Sequence, residues 1–316
     1  MKTLPKNINI LKVLPLASLL FFLSFVPARA QEVQRSITFD PSIAQTMDPG
    51  TKKEGILHVT NNSDGALTFN NETKDFIVVD TLGTPNVLPV GTLNSKYSAA
   101  AWLGVSPSSF TLQPHQTQEL HYYIQVPPDA RPGGHYAAIV YTPTIQAATG
   151  QTGSNVNSEL GTLFYITVNG PVIENSLVSL FIAPFSEYGP VDILTQIRNL
   201  GDLHIRPLGN IVVTNMLGGK SFSALKEQNI FPGGVARDYN NLVGGKFMLG
   251  KYNAQLMATY GKNNDKVLIA SVSFWVFPWK LTIIIILIII AIILGVKFYK
   301  KSKKVKATPA EEEAVS

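Results

Sequence analysis

Residues 120–141 read LHYYIQVPPDARPGGHYAAIVY, and the class of fold follows from how these side chains alternate. In an extended chain Leu120, Tyr122, Ile124 and Val126 fall on one side, and His121, Tyr123 and Gln125 on the other. Pro127 and Pro128 end that strand, and Arg131-Pro132-Gly133-Gly134 turns a corner. Residues 136–141 then return as a second strand. His121 and Tyr123, with Tyr136 beside them, form the candidate binding row. Aromatic side chains placed this way stack on sugars or grip a peptide, or else pair across strands and stabilise the sheet.

Moving outward, the same grammar recurs. Short β-branched or aromatic runs lie between turn signals at residues 36–39, 56–60, 66–69, 75–79, 110–112, 119–126, 136–141 and 161–168. Asn169-Gly170-Pro171 interrupts the pattern. It resumes at 177–182, 191–198, 209–214, near Phe222, and at 235–239, 250–260 and 267–277. No stretch of 31–276 has a convincing helical period. The expected fold is all-β: two tandem immunoglobulin-like β-sandwiches, residues 31–170 and 171–275, followed by one transmembrane α-helix.

The two parts share local signatures. Leu112-Gln113-Pro114 is followed by Gly134-His135-Tyr136-Ala137-Ala138, and Ile230-Phe231-Pro232 by Gly250-Lys251-Tyr252-Asn253-Ala254. Gly-x-Tyr-x-Ala thus recurs 116 residues apart, read as a turn into a strand with Tyr at the sheet rim. Residues 57–61 and 195–199 each end a strand on asparagine. Chance matching of common turn residues is the competing explanation. Trp102 is expected as a core plug below a turn. The polar segment 146–158, QAATGQTGSNVNS, is expected as a long loop, flexible or used for binding.

Two apolar segments frame this ectodomain. Residues 1–30 read as a signal peptide, with Lys2, Lys6 and Lys12, an apolar run, and Ala28-Arg29-Ala30 as cleavage site; an uncleaved anchor is the alternative. Residues 281–296, LTIIIILIIIAIILGV, carry no charge and are followed by six lysines. Extended back to 276, this is the transmembrane segment 276–296, with Trp275 and Trp279 at one interface. A buried core helix is the other reading of such a run. The lysines assign the tail 297–316, basic then acidic, to the cytoplasm and the ectodomain to the outside: a single-pass type I cell-membrane protein, its ectodomain extracellular or periplasmic.

The net charge of +5 does not describe the ectodomain. Residues 31–280 hold 16 Lys+Arg against 18 Asp+Glu, a net −2, which gives no support to nucleic-acid binding. With no cysteine, disulfides and thiolate metal sites are excluded. His58, His115, His121, His135 and His204 make no zinc-binding spacing and are expected at the surface or rim. There is no Gly-x-Ser-x-Gly, phosphate loop or dense acidic motif, so neither an enzyme nor a cofactor is expected. Asn61-Asn62-Ser63 and Asn71-Glu72-Thr73 are sequons, relevant only where exported proteins are glycosylated.

A family resemblance rests on three runs: Val105 to Pro114, Ile124-Gln125-Val126-Pro127 with Pro132 to Ile139, and Val59-Thr60-Asn61-Asn62-Ser63. Together they resemble the N-terminal domain of bacterial WxL-interacting proteins. The resemblance is best over residues 36–168 and weaker beyond. It implies a cell-surface protein whose first domain contacts peptidoglycan and which associates with other surface proteins. The expected function is therefore a membrane-anchored binding or scaffolding protein that contacts cell-wall glycan or another surface protein. The alternative, a chaperone-like assembly subunit, would pair a sheet edge with a secreted partner. A weaker similarity is to pilus-chaperone sandwiches.

Overall fold

The computed structural model describes residues 37–91, 95–144 and 160–306. The signal-like segment 1–30, the 146–158 segment and the acidic end lie outside the described residues.

The chain is mostly β. Its N-terminal half contributes β1 (Ile37–Phe39), β2 (Ser42–Met47), β3 (Lys52–Asn61), β4 (Leu67–Ile77) and β5 (Asn86–Val87). A 3-10 turn at Ala100–Trp102 precedes β6 (Leu103–Ser106), β7 (Ser109–Leu112), β8 (Thr117–Gln125), β9 (Gly133–Thr144) and β10 (Leu160–Val168). One sheet runs β1-β3-β8-β6, and the facing sheet runs β2-β10-β9-β4-β5 with β7 also on β4. The chain changes sheet between β1 and β2 and again between β6 and β7, which closes the sides of the sandwich.

The C-terminal half contributes β11 (Ser176–Ile182), β12 (Val191–Asn199), β13 (Leu208–Asn215), β14 (Lys220–Ala224), β15 (Ala236–Val243), β16 (Gly250–Tyr260) and β17 (Lys266–Val276). They form sheets β11-β12-β15 and β14-β13-β16-β17. Among the described residues no ladder joins the halves, and each has its own core. Leu57, Leu120, Ile124, Ile139 and Phe164 centre the first; Ile193, Ile197, Ile211 and Leu256 the second.

β8 shows why the alternation succeeds. Leu120, Tyr122 and Ile124 are buried while His121, Tyr123 and Gln125 face water. His58 and His121 sit on this solvent face, as expected. Three expectations need correction. Residues 66–69 and 75–79 belong to one strand, β4. The polar link between them does not turn, because Asn71 points inward and its Nδ2 donates to the Pro107 carbonyl at 2.8 Å. β2, β5 and β6 were not expected. β2 has only Ile43 and Thr46 as strand formers and is held by its parallel register with β10.

The asparagine signature marks equivalent positions. Asn61 Nδ2 donates to the carbonyls of Gly65 (2.7 Å), Leu112 (3.3 Å) and Gln113 (3.2 Å), and its Oδ1 accepts from the Ser63 N–H (3.0 Å). Asn199 Nδ2 donates to Leu203 (2.8 Å) and Ile230 (2.9 Å), and its Oδ1 accepts from the Gly201 N–H (2.9 Å). Each buried amide ties a strand end to the Leu-Gln-Pro or Ile-Phe-Pro run. Both sequon asparagines, Asn61 and Asn71, are therefore structural and largely shielded from solvent. The Gly-x-Tyr-x-Ala match is out of phase. Ala138 points away from its half's core, whereas Ala254 points into its own. A one-residue offset reverses the face.

α1 (Trp279–Lys306) follows β17 after two residues. Its first turn is capped at Pro278, whose carbonyl accepts both the N–H and the hydroxyl of Thr282 at 3.0 Å. The helix thus starts at Trp279, three residues later than expected, because Val276 completes the β16–β17 ladder. Its stretch Trp279–Lys301 is long and apolar enough to cross a membrane: 23 residues at about 1.5 Å each give roughly 35 Å.

Candidate functional site

The sequence-derived row divides. His121 and Tyr123 lie together on the outer face of the β1-β3-β8-β6 sheet, opposite Ile56 and Glu54 of β3. They border a shallow cavity of about 470 Å³ that Val105 and Ser106 of β6 also line. The Tyr123 ring lies across Gly104, where a Cβ would collide with it. Lys52 Nζ stands 5.1 Å from the ring centroid and 2.7 Å from Glu54. A ligand stacking on Tyr123 therefore competes with an ammonium already there.

Tyr136 does not join this row. It is 3% exposed and belongs to the other sheet. The run HYAAIVY is apolar in both phases because β9 is central and covered on both faces. His135, Ala137, Ile139 and Tyr141 turn toward the first core; Tyr136, Ala138 and Val140 turn toward the C-terminal half. His135, expected at the rim, is 3% exposed and packs on Trp102 with ring centroids 4.4 Å apart. Burial pushes its pKa down, against carbonyls of Arg131 and Ser98 that favour the proton. Trp102 is half-buried against the core, close to its expected role.

The outward face of β9 meets Phe231. Its ring centroid lies 4.9 Å from Tyr136, 5.7 Å from Phe76 and 5.9 Å from Tyr165. Around this cluster the halves exchange hydrogen bonds. The His204 backbone N–H donates to the Tyr136 hydroxyl at 3.0 Å, and His204 Nδ1 lies 3.2 Å from that oxygen. Gly134 N–H donates to the Asp202 carbonyl, and Asp238 N–H to that of Thr81, both at 2.9 Å. Desolvation lowers the His204 pKa to about 4, so the ring is neutral. Burial likewise raises that of Tyr136. Partial burial disfavours the Asp202 anion, but Lys96 at 3.3 Å, the Ile173 N–H and Arg131 at 3.4 Å hold its carboxyl below the usual range.

Beside this junction runs a cleft of about 490 Å³ between the halves. Tyr165, His204, Arg206 and Glu227 line it, and Ser42 and Ala44 of β2 form one lip. β2 is an edge strand. The carbonyls of Pro41 and Met47 accept from Leu163 and Asn169, so residues 41, 43, 45 and 47 face β10. Ser42, Ala44 and Thr46 then present N–H and C=O to the open side. Their side chains are exposed, and among the described residues nothing pairs with that side. Sequence reasoning missed β2 and Phe231, and it placed His204 at the surface or rim, whereas the ring is shielded against Tyr136 and Tyr165. One signal was available for Phe231: it occupies the position that is a solvent-facing Gln113 in the equivalent run.

Among the described residues no three His, Asp or Glu side chains converge as metal ligands. The His58 ring makes exposed, long pairings with Asp40 (3.9 Å) and Glu119 (3.8 Å), while its backbone N–H donates to Asp40 at 3.1 Å.

No family model matches the chain, and no curated protein matches it. Several solved structures are similar in shape. The class 5 fimbriae chaperone CfaA is 15% identical, with a TM-score of 0.38 over 75% of this chain and 98% of that one. The CupB2 chaperone of Pseudomonas aeruginosa is 10% identical, with a TM-score of 0.34 over 74% and 97%. A PapD-like domain of human CEP192 is 16% identical, with a TM-score of 0.28 over 43% and 86%.

Proposed function

We propose that this is a non-enzymatic, membrane-anchored assembly or scaffolding protein that takes up an extended segment of a secreted partner on the free edge of β2. The two halves are read as tandem immunoglobulin-like sandwiches, 31–170 and 171–275, with the ectodomain outside and the lysine-rich end of α1 in the cytoplasm. The observation that carries the proposal is the unpaired side of Ser42, Ala44 and Thr46 at the lip of the inter-half cleft. Main-chain pairing there supplies affinity, and the cleft selects side chains. Kinship with the WxL-interacting proteins forms part of this reading, since partnership with another surface protein fits it. Wall glycan is the less favoured ligand, because Lys52 competes for the Tyr123 ring.

The cysteine-free chain allows a direct test. A photocrosslinker on Ala44→Cys is expected to capture one secreted protein in intact cells, and to keep doing so after the wall is digested. The same label on Gln125→Cys, on the outer sheet face, should capture none. Capture at Gln125 alone, or capture lost on wall digestion, overturns the edge reading in favour of the glycan one.

A further inference from the structure

The two ends of the C-terminal half differ in chemistry. At the end away from α1, the β16–β17 turn is Gly261-Lys262-Asn263-Asn264-Asp265, without an apolar side chain. At the other end the pairings Asn215↔Tyr252, Gly250↔Val276 and Val191↔Val243 gather three loops, 183–190, 216–219 and 244–249, at the end where the helix starts. Their tips are apolar and bare. Leu217 is 94% exposed, Phe247 93%, and Phe185, Met216 and Leu249 between 58% and 65%. Trp275 and Trp279 complete the ring. Scattered exposed apolar residues need no explanation, but a ring of them at one end marks a surface built to be covered.

The ring is also held together. Ser186 N–H donates to the Trp275 carbonyl (3.3 Å) and Phe277 N–H to the Ser186 carbonyl (2.9 Å). Glu187 pairs with Lys280 in the first turn of α1 at 2.6 Å. Gly189 lies so close to the Gly245 carbonyl and Met248 that no side chain fits between those two loops. Lys220, Lys246 and Lys251 are exposed at this end, suited to lipid phosphates.

We infer that this collar is a lipid-docking surface: the three loop tips insert into the outer leaflet around α1 and seat the C-terminal half directly on the bilayer. The covering is set by continuity, since the helix that enters the membrane leaves from this same end, directly after β17. The inference rests on α1 spanning the bilayer.

The full-length chain, reconstituted in phosphatidylcholine–phosphatidylglycerol vesicles, would carry one environment-sensitive fluorophore at Leu217→Cys, Phe247→Cys, Asn264→Cys or Ile286→Cys. Nitroxide lipids then report depth. The tips are so exposed that labelling them leaves the core intact. Labels at 217 and 247 are expected about 5–10 Å below the headgroups, the depth of interfacial segments. The label at 264 should be unquenched and that at 286 quenched deep in the bilayer. Quenching at 286 but not at 217 and 247 overturns the collar and leaves the span standing. No quenching at 286 removes the span and the collar with it.

Discussion

Phe231→Ala tests whether the halves act as one body. The ring is 6% exposed and touches three aromatic rings of the other half. Its withdrawal from water is worth roughly 2–3 kcal/mol. The three ring contacts, two of them edge-on, add about 0.5 kcal/mol each at the low end of aromatic pairs, for a loss of about 4 kcal/mol, within the usual range for Phe→Ala. The loss falls on the junction, because Phe231 belongs to neither main core. Calorimetry of the full chain in bilayer discs should show one cooperative transition for the native protein. In the variant that transition should split, with the less stable half melting about 8–16 °C earlier, at roughly 2–4 °C per kcal/mol for a chain of this size. Phe231→Leu, which keeps most of the volume, should cost less than about 1.5 kcal/mol and preserve the single transition. An unchanged, single transition in Phe231→Ala would refute the coupling assigned to this cluster.

Acid should loosen the same junction. The His204 pKa is about 4 when folded and 6.5 when free, so the unfolded chain binds a proton that the folded chain refuses. Stability from this residue is full above pH ~6.5, falls by up to roughly 3 kcal/mol toward pH ~4, and is flat below. Urea midpoints across that window should show the slope, and His204→Gln should remove it. Asn199→Ala strands the Leu203 carbonyl and the Gly201 N–H and should cost about 2–4 kcal/mol by chemical denaturation, with Asn61→Ala behaving alike. Gly55→Ala forces the buried Tyr122 ring to move, and should lower stability in urea unfolding by about 1–3 kcal/mol unless Tyr122 is also shortened.

What could be read from the sequence was set by local rules. The period-two alternation of 117–125 reports one wet face and one dry face, which β8 has. The asparagines at 61 and 199 were visible as a repeat because a buried amide at a strand end serves the same purpose twice. Tyr136 was misread because its outward face is dry only by virtue of Phe231, 95 residues away and on the other half. The neutral, shielded His204 has the same origin, since no local pattern distinguishes it from a surface imidazole. β2 eluded the reading because its sequence, SIAQTM, carries no alternation of its own and borrows its conformation from β10.

The junction and the collar bear jointly on where the β2 edge works. The connection between the halves is not slack. Asn169 N–H donates to Met47, Leu200 N–H to Asn175, and Asp202 N–H to Ile173. The cleft includes Gly261, Lys262 and Asn264 at the far end of the β16–β17 hairpin. β16 spans 11 residues from the collar to that turn, or about 35 Å at ~3.3 Å per residue. With the collar seated and the junction closed, the open edge of β2 stands roughly one strand length above the bilayer, at a fixed height. A far-reaching adhesin gains nothing from such rigidity. For the proposed edge-pairing subunit it is an advantage, because an edge that is already held still pays less ordering cost when an extended segment pairs with it.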